Sequence, residues 1–417
     1  MAHFSRLKLA LIGATALAGC STMTPAPAGV SVEARAIHNR LMTLDTHLDT
    51  PAFFDTVRGY DIMERHDVER DGTQVDYPRM VEGGLDGGFW VIYMGQGPLT
   101  PEGYRNVRDA ALIRAMSIHK MVAANPDKFE LALTSADAAR INASGKKIVY
   151  ISIENSYEVG EDLSLLDTFY KLGVRMAGPV HNGSNQLADS TNPGANPPVN
   201  WGGLSPMGRD YVKRANELGI VLDGSHSSDA AIDQMIDLSA TPIILSHHGA
   251  DHLNEHPRNA PDALLKKMAA RGGVIHMNAL GSFIKPLPQT KERTDAMAAL
   301  RTKWGNPNQL ESARYEQYLD ELNALDRQFP ENRATFEDYM QQVLYTIRLV
   351  GVDHVGFGAD WDGGGGLDGF RDITALPKIT ERLLKEGYTE ADLQKMWSGN
   401  VIRLLKAAED HKASLGK

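Results

Sequence analysis

The residues of this 417-residue chain that could do chemistry sit where short apolar runs end. His47 and Asp49, one residue apart, close the run 42–49. Glu154 closes 147–154, His181 closes 174–181, His226 closes 219–226, His247 closes 242–247 and Asp360 closes 354–360. Alternate side chains of a strand share a face, so His47 and Asp49 point the same way, and Asp45 with them as a supporting group. Imidazole and carboxylate donors without thiolate suit Zn²⁺. Alone, a strand-end His is more often a satisfied polar group than a ligand, and His-x-Asp is a common pair. Burying all of them at one place is costly unless cations pair them, so the set as a whole reads as a metal site.

A metal site needs elements that converge. Candidate strands are 42–49, 88–94, 147–154, 174–181, 219–226, 242–247, 273–278 and 354–360, bounded by Gly, Pro or Asp as buried parallel strands are. Helical stretches fall between them at 104–125, 162–172, 208–218, 228–238 and 261–271. Eight strands alternating with helices predict an α/β fold, a (β/α)8 TIM barrel rather than a doubly wound sheet, with its active site at the C-terminal rim. Residues 285–350 lack a strand and read as a helical insertion before the last strand, near the mouth. Helices at 379–386 and 390–407 would close the barrel from outside.

A formal net charge of −10, with no basic run, argues against nucleic-acid partners. Arg6 and Lys8 precede a short apolar stretch, 9–18, that is too short to span a bilayer and reads as a signal peptide over 1–19. Leu17-Ala18-Gly19-Cys20 resembles the lipobox of bacterial lipoproteins, which makes Cys20 the expected lipidation site. A plain secretory signal with a chance cysteine is the alternative. Residues 20–32 read as a tether, and 33–417 as one hydrolase domain. Ser21 after the cysteine suggests a lipid-anchored envelope protein on the outer membrane, facing the periplasm. Cys20 is the single cysteine, so no intrachain disulfide is expected.

Several segments together resemble the membrane (renal-type) dipeptidases of the amidohydrolase superfamily. Leu44-Asp45-Thr46-His47-Leu48-Asp49-Thr50-Pro51 is similar to their Asp-Gly-His-Asn-Asp-Leu-Pro opening. Ser152-Ile153-Glu154, His181-Asn182 with Ala188-Asp189, and Gly203-Leu204-Ser205-Pro206-Met207-Gly208 follow in the family's order. So do Asp223-Gly224-Ser225-His226, Ile244-Leu245-Ser246-His247, Arg258-Asn259, Gly358-Ala359-Asp360 and Asn400-Val401-Ile402-Arg403.

The resemblance implies two Zn²⁺ ions, one held by His47 and Asp49, the other by His226 and His247, with Glu154 bridging. His248 beside His247 leaves that ligand ambiguous, although the Ser-His pattern favours His247. The resemblance further implies hydrolysis of short peptides with a free C-terminus, L-L and L-D dipeptides, by a metal-bridging hydroxide. His181 would bind the substrate and its oxyanion. Asp360 would contact the substrate and shuttle the proton, and Arg258 would clamp the substrate carboxylate. A homodimer is expected on the same ground. The alternatives are N-acyl-amino-acid or lactone hydrolysis at the same site, or a lipid-anchored binding protein without catalysis. Three segments depart from the family pattern and are expected to border the pocket: Asn155-Ser156-Tyr157, the Pro/Asn-rich loop 192–201, and a flexible glycine stretch at 363–366.

Overall fold

A computed structural model describes residues 28–56, 59–192 and 200–416. The expected signal peptide, Cys20, most of the tether and the middle of the 192–201 loop lie outside the described residues. Among the described residues, no helix is long and apolar enough to cross a membrane.

Eight parallel strands form the barrel: β1 (Leu44–Leu48), β2 (Gly87–Tyr93), β3 (Lys147–Glu154), β4 (Val174–Ala177), β5 (Val221–Leu222), β6 (Ile244–Ala250), β7 (Val274–Met277) and β8 (Val355–Phe357). They pair as two arcs, β1 to β5 and β6 to β8. Single bridges close the circle, Asp223 to Ile244 between β5 and β6, and Leu48 to Trp361 just beyond β8. The apolar runs read from the sequence are these strands, with ends shifted by a few residues. Two short strands, Phe129–Leu131 and Asn259–Ala260, were not expected; neither is long enough to leave a periodic signal.

The bottom of the barrel is apolar. Leu44, Phe89, Ile148, Tyr150, Met176, Val221, Ile244 and Val274 fill it, and Val401, Leu404, Leu405 and Ala408 of helix Asn400–Ser414 plug it from below. The Asn-x-x-Arg signature fastens that plug. Asn400 Nδ2 donates to Val352 O and Val355 O (2.7 and 2.8 Å), and Arg403 donates to Gly272 O and Asp353 O (2.7 and 2.8 Å). The Gly-Leu-Ser-Pro-Met-Gly segment also serves the fold. Ser205 caps helix Pro206–Leu218 through Gly208 N (2.9 Å), and a Cβ on Gly208 would sit 1.9 Å from Leu187 O.

The insertion is shorter than expected. Helix Phe336–Val350 buries Tyr339, Val343 and Ile347 in the main core, and Tyr339 Oη donates to Met277 O at 3.1 Å, so it is the barrel's own helix between β7 and β8. Helices Lys291–Trp304 and Ser312–Gln328 are the added part. They share a separate small core of Leu300, Trp304, Leu310 and Leu325. Tyr315 Oη and Asn323 Nδ2 tie them to Asp71 O and Glu69 O (2.7 and 3.0 Å).

His38 reports on acid stability. Its Nε2 donates to Gly83 O (3.0 Å), and its Nδ1 accepts from Thr380 Oγ1 (2.7 Å), whose oxygen in turn takes Trp397 Nε1 (3.0 Å). Burial pushes the imidazole from its ordinary 6.5 down to about 4. A depressed folded pKa gives a contribution that is full above pH 6.5, falls away as pH drops toward 4, and changes no further below. Denaturation between pH 7 and 4 is expected to show wild type losing about 3 kcal/mol more than His38→Gln. Parallel pH slopes would show that His38 carries no such linkage.

Candidate metal centre and active site

The C-terminal rim collects the expected residues, but not all from strand ends. Glu154 ends β3, and the chain turns sharply at Asn155 with φ 68°. His47 and Asp49 stand at the end of β1. Asp45 grips the backbone around them, its Oδ1 accepting His47 N (2.8 Å) and its Oδ2 accepting Ala359 N (3.1 Å). His247 lies within β6, which runs on to Ala250. His181 and His226, expected at strand ends, stand in loops four residues past β4 and β5. Pro179 halts the first, and a turn through Gly224 carries the second over the rim.

Two of these residues have strained backbones. His226 has φ 66° and Asp360 φ 65°, each costing about 1–2 kcal/mol for a side chain other than glycine. The surroundings hold them there. His226 O accepts Thr191 N (2.9 Å) and Ser190 Oγ (3.2 Å). Asp360 O accepts three amides, those of Gly363, Gly364 and Gly365 (3.2, 3.1 and 2.8 Å). The glycine stretch expected to be flexible is therefore a tight turn. A Cβ on Gly363 would lie 2.0 Å from Asp49 Oδ2 and 2.3 Å from Asp360 Oδ1.

One carboxylate oxygen is the focus. Glu154 Oε1 lies 2.9 Å from His226 Nε2, 3.2 Å from His247 Nε2 and 3.7 Å from His47 Nε2, while His47 Nε2 is 3.3 Å from Asp49 Oδ2. Donor atoms of three overlapping groups lie within 4.8 Å of one another: His47, Glu154 and His247; Glu154, His181 and His226; His47, Asp49 and Asp360. His47 Nε2, Asp49 Oδ1 and His226 Nδ1 are buried with no hydrogen-bond partner. Such a set of converging, unsatisfied nitrogen and oxygen donors fits divalent cations.

The electrostatics suit a cation at two of the imidazoles, whereas His47 and Glu154 would release a proton to bind one. Burial holds His226 and His247 well below the usual imidazole range, hence neutral, the form that binds metal. Burial opposes charge on His47 too, but Asp49 and Glu154 beside it win and push it up to about 10. Glu154 is pushed well up by burial, and Asp360 is raised to about 7 by the same cause. Asp223 fixes the tautomer of His247. Its Oδ2 accepts Ser246 Oγ–H (2.5 Å), so that oxygen accepts from His247 Nδ1 (2.9 Å) and Nε2 presents its lone pair to the site.

A cavity of about 570 Å³ opens above these residues. Arg258 is buried in its wall. Its Nη1 donates to His248 Nδ1 (2.9 Å), its Nη2 donates to His247 O (3.2 Å), and its guanidinium lies 5.2 Å over the Phe283 ring. Nε–H has no partner, which leaves one edge of the fork open. His248 thus faces Arg258 rather than Glu154. Asn192, Gly363 and Asp362 line the cavity, whereas Asn155, Ser156 and Tyr157 do not. These three are buried, bonded to Met94 O, to Gly178 O and Tyr211 Oη, and to Pro98 O respectively, so that segment does not border the pocket.

Some members of the site escaped the sequence reading. Tyr93 lines the cavity with its hydroxyl 3.3 Å from His181 Nδ1, and Asn278 Nδ2 donates to Asp360 Oδ2 at 3.3 Å. Both stand at or next to strand ends, and counting uncharged polar residues there would have found them.

A family model of membrane dipeptidases (peptidase family M19) matches residues 31–417. The crystal structure of the probable dipeptidase PvdM from Pseudomonas aeruginosa superposes with a TM-score of 0.77 at 29% identity, covering 91% of this chain and 98% of that one. Dipeptidase tcpJ of Claviceps purpurea is 28% identical over 380 residues, 89% of this chain and 78% of its own. A metallo peptidase from Rhodobacter sphaeroides, solved with a phosphinate mimic of the dipeptide L-Ala-D-Ala, shares the fold at 22% identity, with a TM-score of 0.67 over 88% of this chain and 99% of that one. Matched along nearly its whole length, the chain belongs to the membrane dipeptidase family, M19, and is a metal-dependent hydrolase on a (β/α)8 barrel.

Proposed function

We propose that this dipeptidase is a binuclear zinc enzyme that hydrolyses L-L and L-D dipeptides with a free C-terminus. The observation that carries the reading is Glu154 Oε1 within 3.7 Å of imidazoles from three different strands or loops, as a bridging carboxylate would be. His47 and Asp49 would hold one cation, His226 and His247 the other. Bound there, the cations supply a polarised water and Lewis acidity toward the peptide carbonyl.

The chain's own groups do the rest. Asp360, raised to about 7 by burial, takes a proton from the attacking water and returns it to the leaving amine. His181 is held near 4 by burial and by Arg258, hence neutral. With Tyr93 Oη donating to its Nδ1, its Nε2–H is left to meet the developing oxyanion. The open edge of Arg258 takes the substrate carboxylate, and His248 keeps the guanidinium in place.

Purified protein given excess zinc should hold two ions per chain and cleave such dipeptides, losing turnover to a chelator. One ion or fewer per folded chain, or turnover confined to N-acyl amino acids or lactones, overturns the reading. Arg258→Ala is expected to raise KM for free dipeptides about tenfold to a hundredfold, the worth of a charged hydrogen bond. C-terminally amidated analogues should change little, and equal effects on both would remove the clamp.

The lipobox-like start supports an envelope lipoprotein anchored at Cys20, on the outer membrane facing the periplasm. Wild type should fractionate with that membrane and Cys20→Ser should not; equal partitioning sinks the anchor. A homodimer goes with the family reading, and light scattering giving a monomer mass would dismiss it.

A further inference from the structure

A second chamber, of about 650 Å³, lies beneath the insertion and adjoins the catalytic cavity. The two share Leu280, Asp362 and Gly363 in their walls. The floor is the backbone of 363–366, pinned by Gln74 Nε2, which donates to Gly365 O at 2.8 Å. The roof is Leu319, Leu322 and Asn323 of helix Ser312–Gln328. Ion pairs rim it, Arg371 with Glu69 (3.3 Å) and Arg333 with Glu331 (2.6 Å). Leu280, Leu287, Leu319 and Leu322 share the lining with Gln74, Asn323 and Asp362, and the edge is charged.

The two chambers adjoin at the exposed glycines Gly363 and Gly364 beside Leu280. A Cβ on Gly364 would touch Leu280 Cδ1 at 3.4 Å, and one on Gly363 would strike Asp49 and Asp360. Gly363 therefore packs on Asp49 and Asp360 where the chambers adjoin, whereas Arg258 is held by His248 and Phe283. On the dipeptidase reading, a dipeptide whose carboxylate is on Arg258 would present its amino-terminal residue to this boundary. The catalytic cavity already has the volume of a small-ligand site, so a bare dipeptide leaves the second chamber unused.

We propose that this chamber is a second substrate compartment, and that the enzyme takes dipeptides whose amino-terminal residue bears a long side chain with an apolar body and a polar end. The proposal rests on the dipeptidase reading above. Leu280 stands at the boundary of the two chambers, and the roof of helix Ser312–Gln328 sets the depth.

The test compares L-Ala-D-Ala, Nε-benzoyl-L-Lys-D-Ala, and L-Ala carrying Nε-benzoyl-lysine at its carboxy side, on wild type and on the roof variants Leu322→Trp and Asn323→Trp. Filling the chamber is expected to lower kcat/KM for benzoyl-Lys-Ala by about tenfold or more, the scale on which pocket shape discriminates, with L-Ala-D-Ala within about twofold. Asn323 is half-buried and gives up only its hydrogen bond to Glu69 O, so its variant keeps the test valid if Leu322→Trp fails to fold. Equal responses of the substrates, failure of wild type to cleave benzoyl-Lys-Ala, or a roof effect confined to the carboxy-side probe overturns the compartment. If wild type cleaves none of the three while loaded with zinc, the dipeptidase reading itself falls.

Discussion

Glu154→Gln is expected to yield folded protein that holds fewer than two divalent cations per chain and has lost nearly all turnover. Gln keeps the volume of Glu, so the rim gains no cavity, but it removes the anionic oxygen that lies 2.9–3.7 Å from His226, His247 and His47. Losing a hydrogen-bond partner of a metal ligand already costs about 10–100-fold in affinity or activity, and losing a shared ligand should exceed that for both ions at once. Metal analysis of dialysed protein beside a dipeptide assay gives the answer. Two tightly held ions with normal turnover would take Glu154 out of the centre, and the binuclear proposal with it.

Asp360→Asn should separate chemistry from binding. We expect kcat to fall about 10²–10⁴-fold, the usual worth of a positioned general acid–base, with cation content close to wild type. The substitution suits the site. Asparagine tolerates the left-handed backbone that Asp360 adopts at φ 65°, and its side-chain oxygen can still accept from Asn278 Nδ2. The turn of three amides onto the carbonyl of residue 360 is untouched, since only backbone makes it. Unchanged turnover would end the proposed proton transfer, and loss of cations would recast Asp360 as a ligand.

Much of this was legible because buried parallel strands write continuous apolar runs, and the barrel gathers whatever polar residue ends them. His47, Asp49, Glu154 and His247 were reached that way. His181 and His226 were reached with the wrong structural reason: Gly-Pro and Asp-Gly steps continue the apolar look of a run after its hydrogen bonding has stopped. The true edge of the insertion was hidden because a barrel helix, Phe336–Val350, follows it with no strand between. Glycine richness at 363–366 suggested looseness, yet the absent side chains are what allow close packing on Asp49 and Asp360. The partnership of His248 with Arg258 depends on which way two adjacent histidines face, and periodicity offers no sign of what lies on the far side.

The two arcs of the barrel meet through little sheet hydrogen bonding, and at each junction a buried aspartate spans the gap. Asp45 reaches from β1 to Ala359, and Asp223 from β5 to the backbone and hydroxyl of Ser246. The same two carboxylates set the backbone of His47 and the tautomer of His247. Architecture and reactivity therefore draw on shared residues, so mutational drift there cannot erode one without the other, whereas the bridges themselves, being main-chain, leave the neighbouring side chains free to vary.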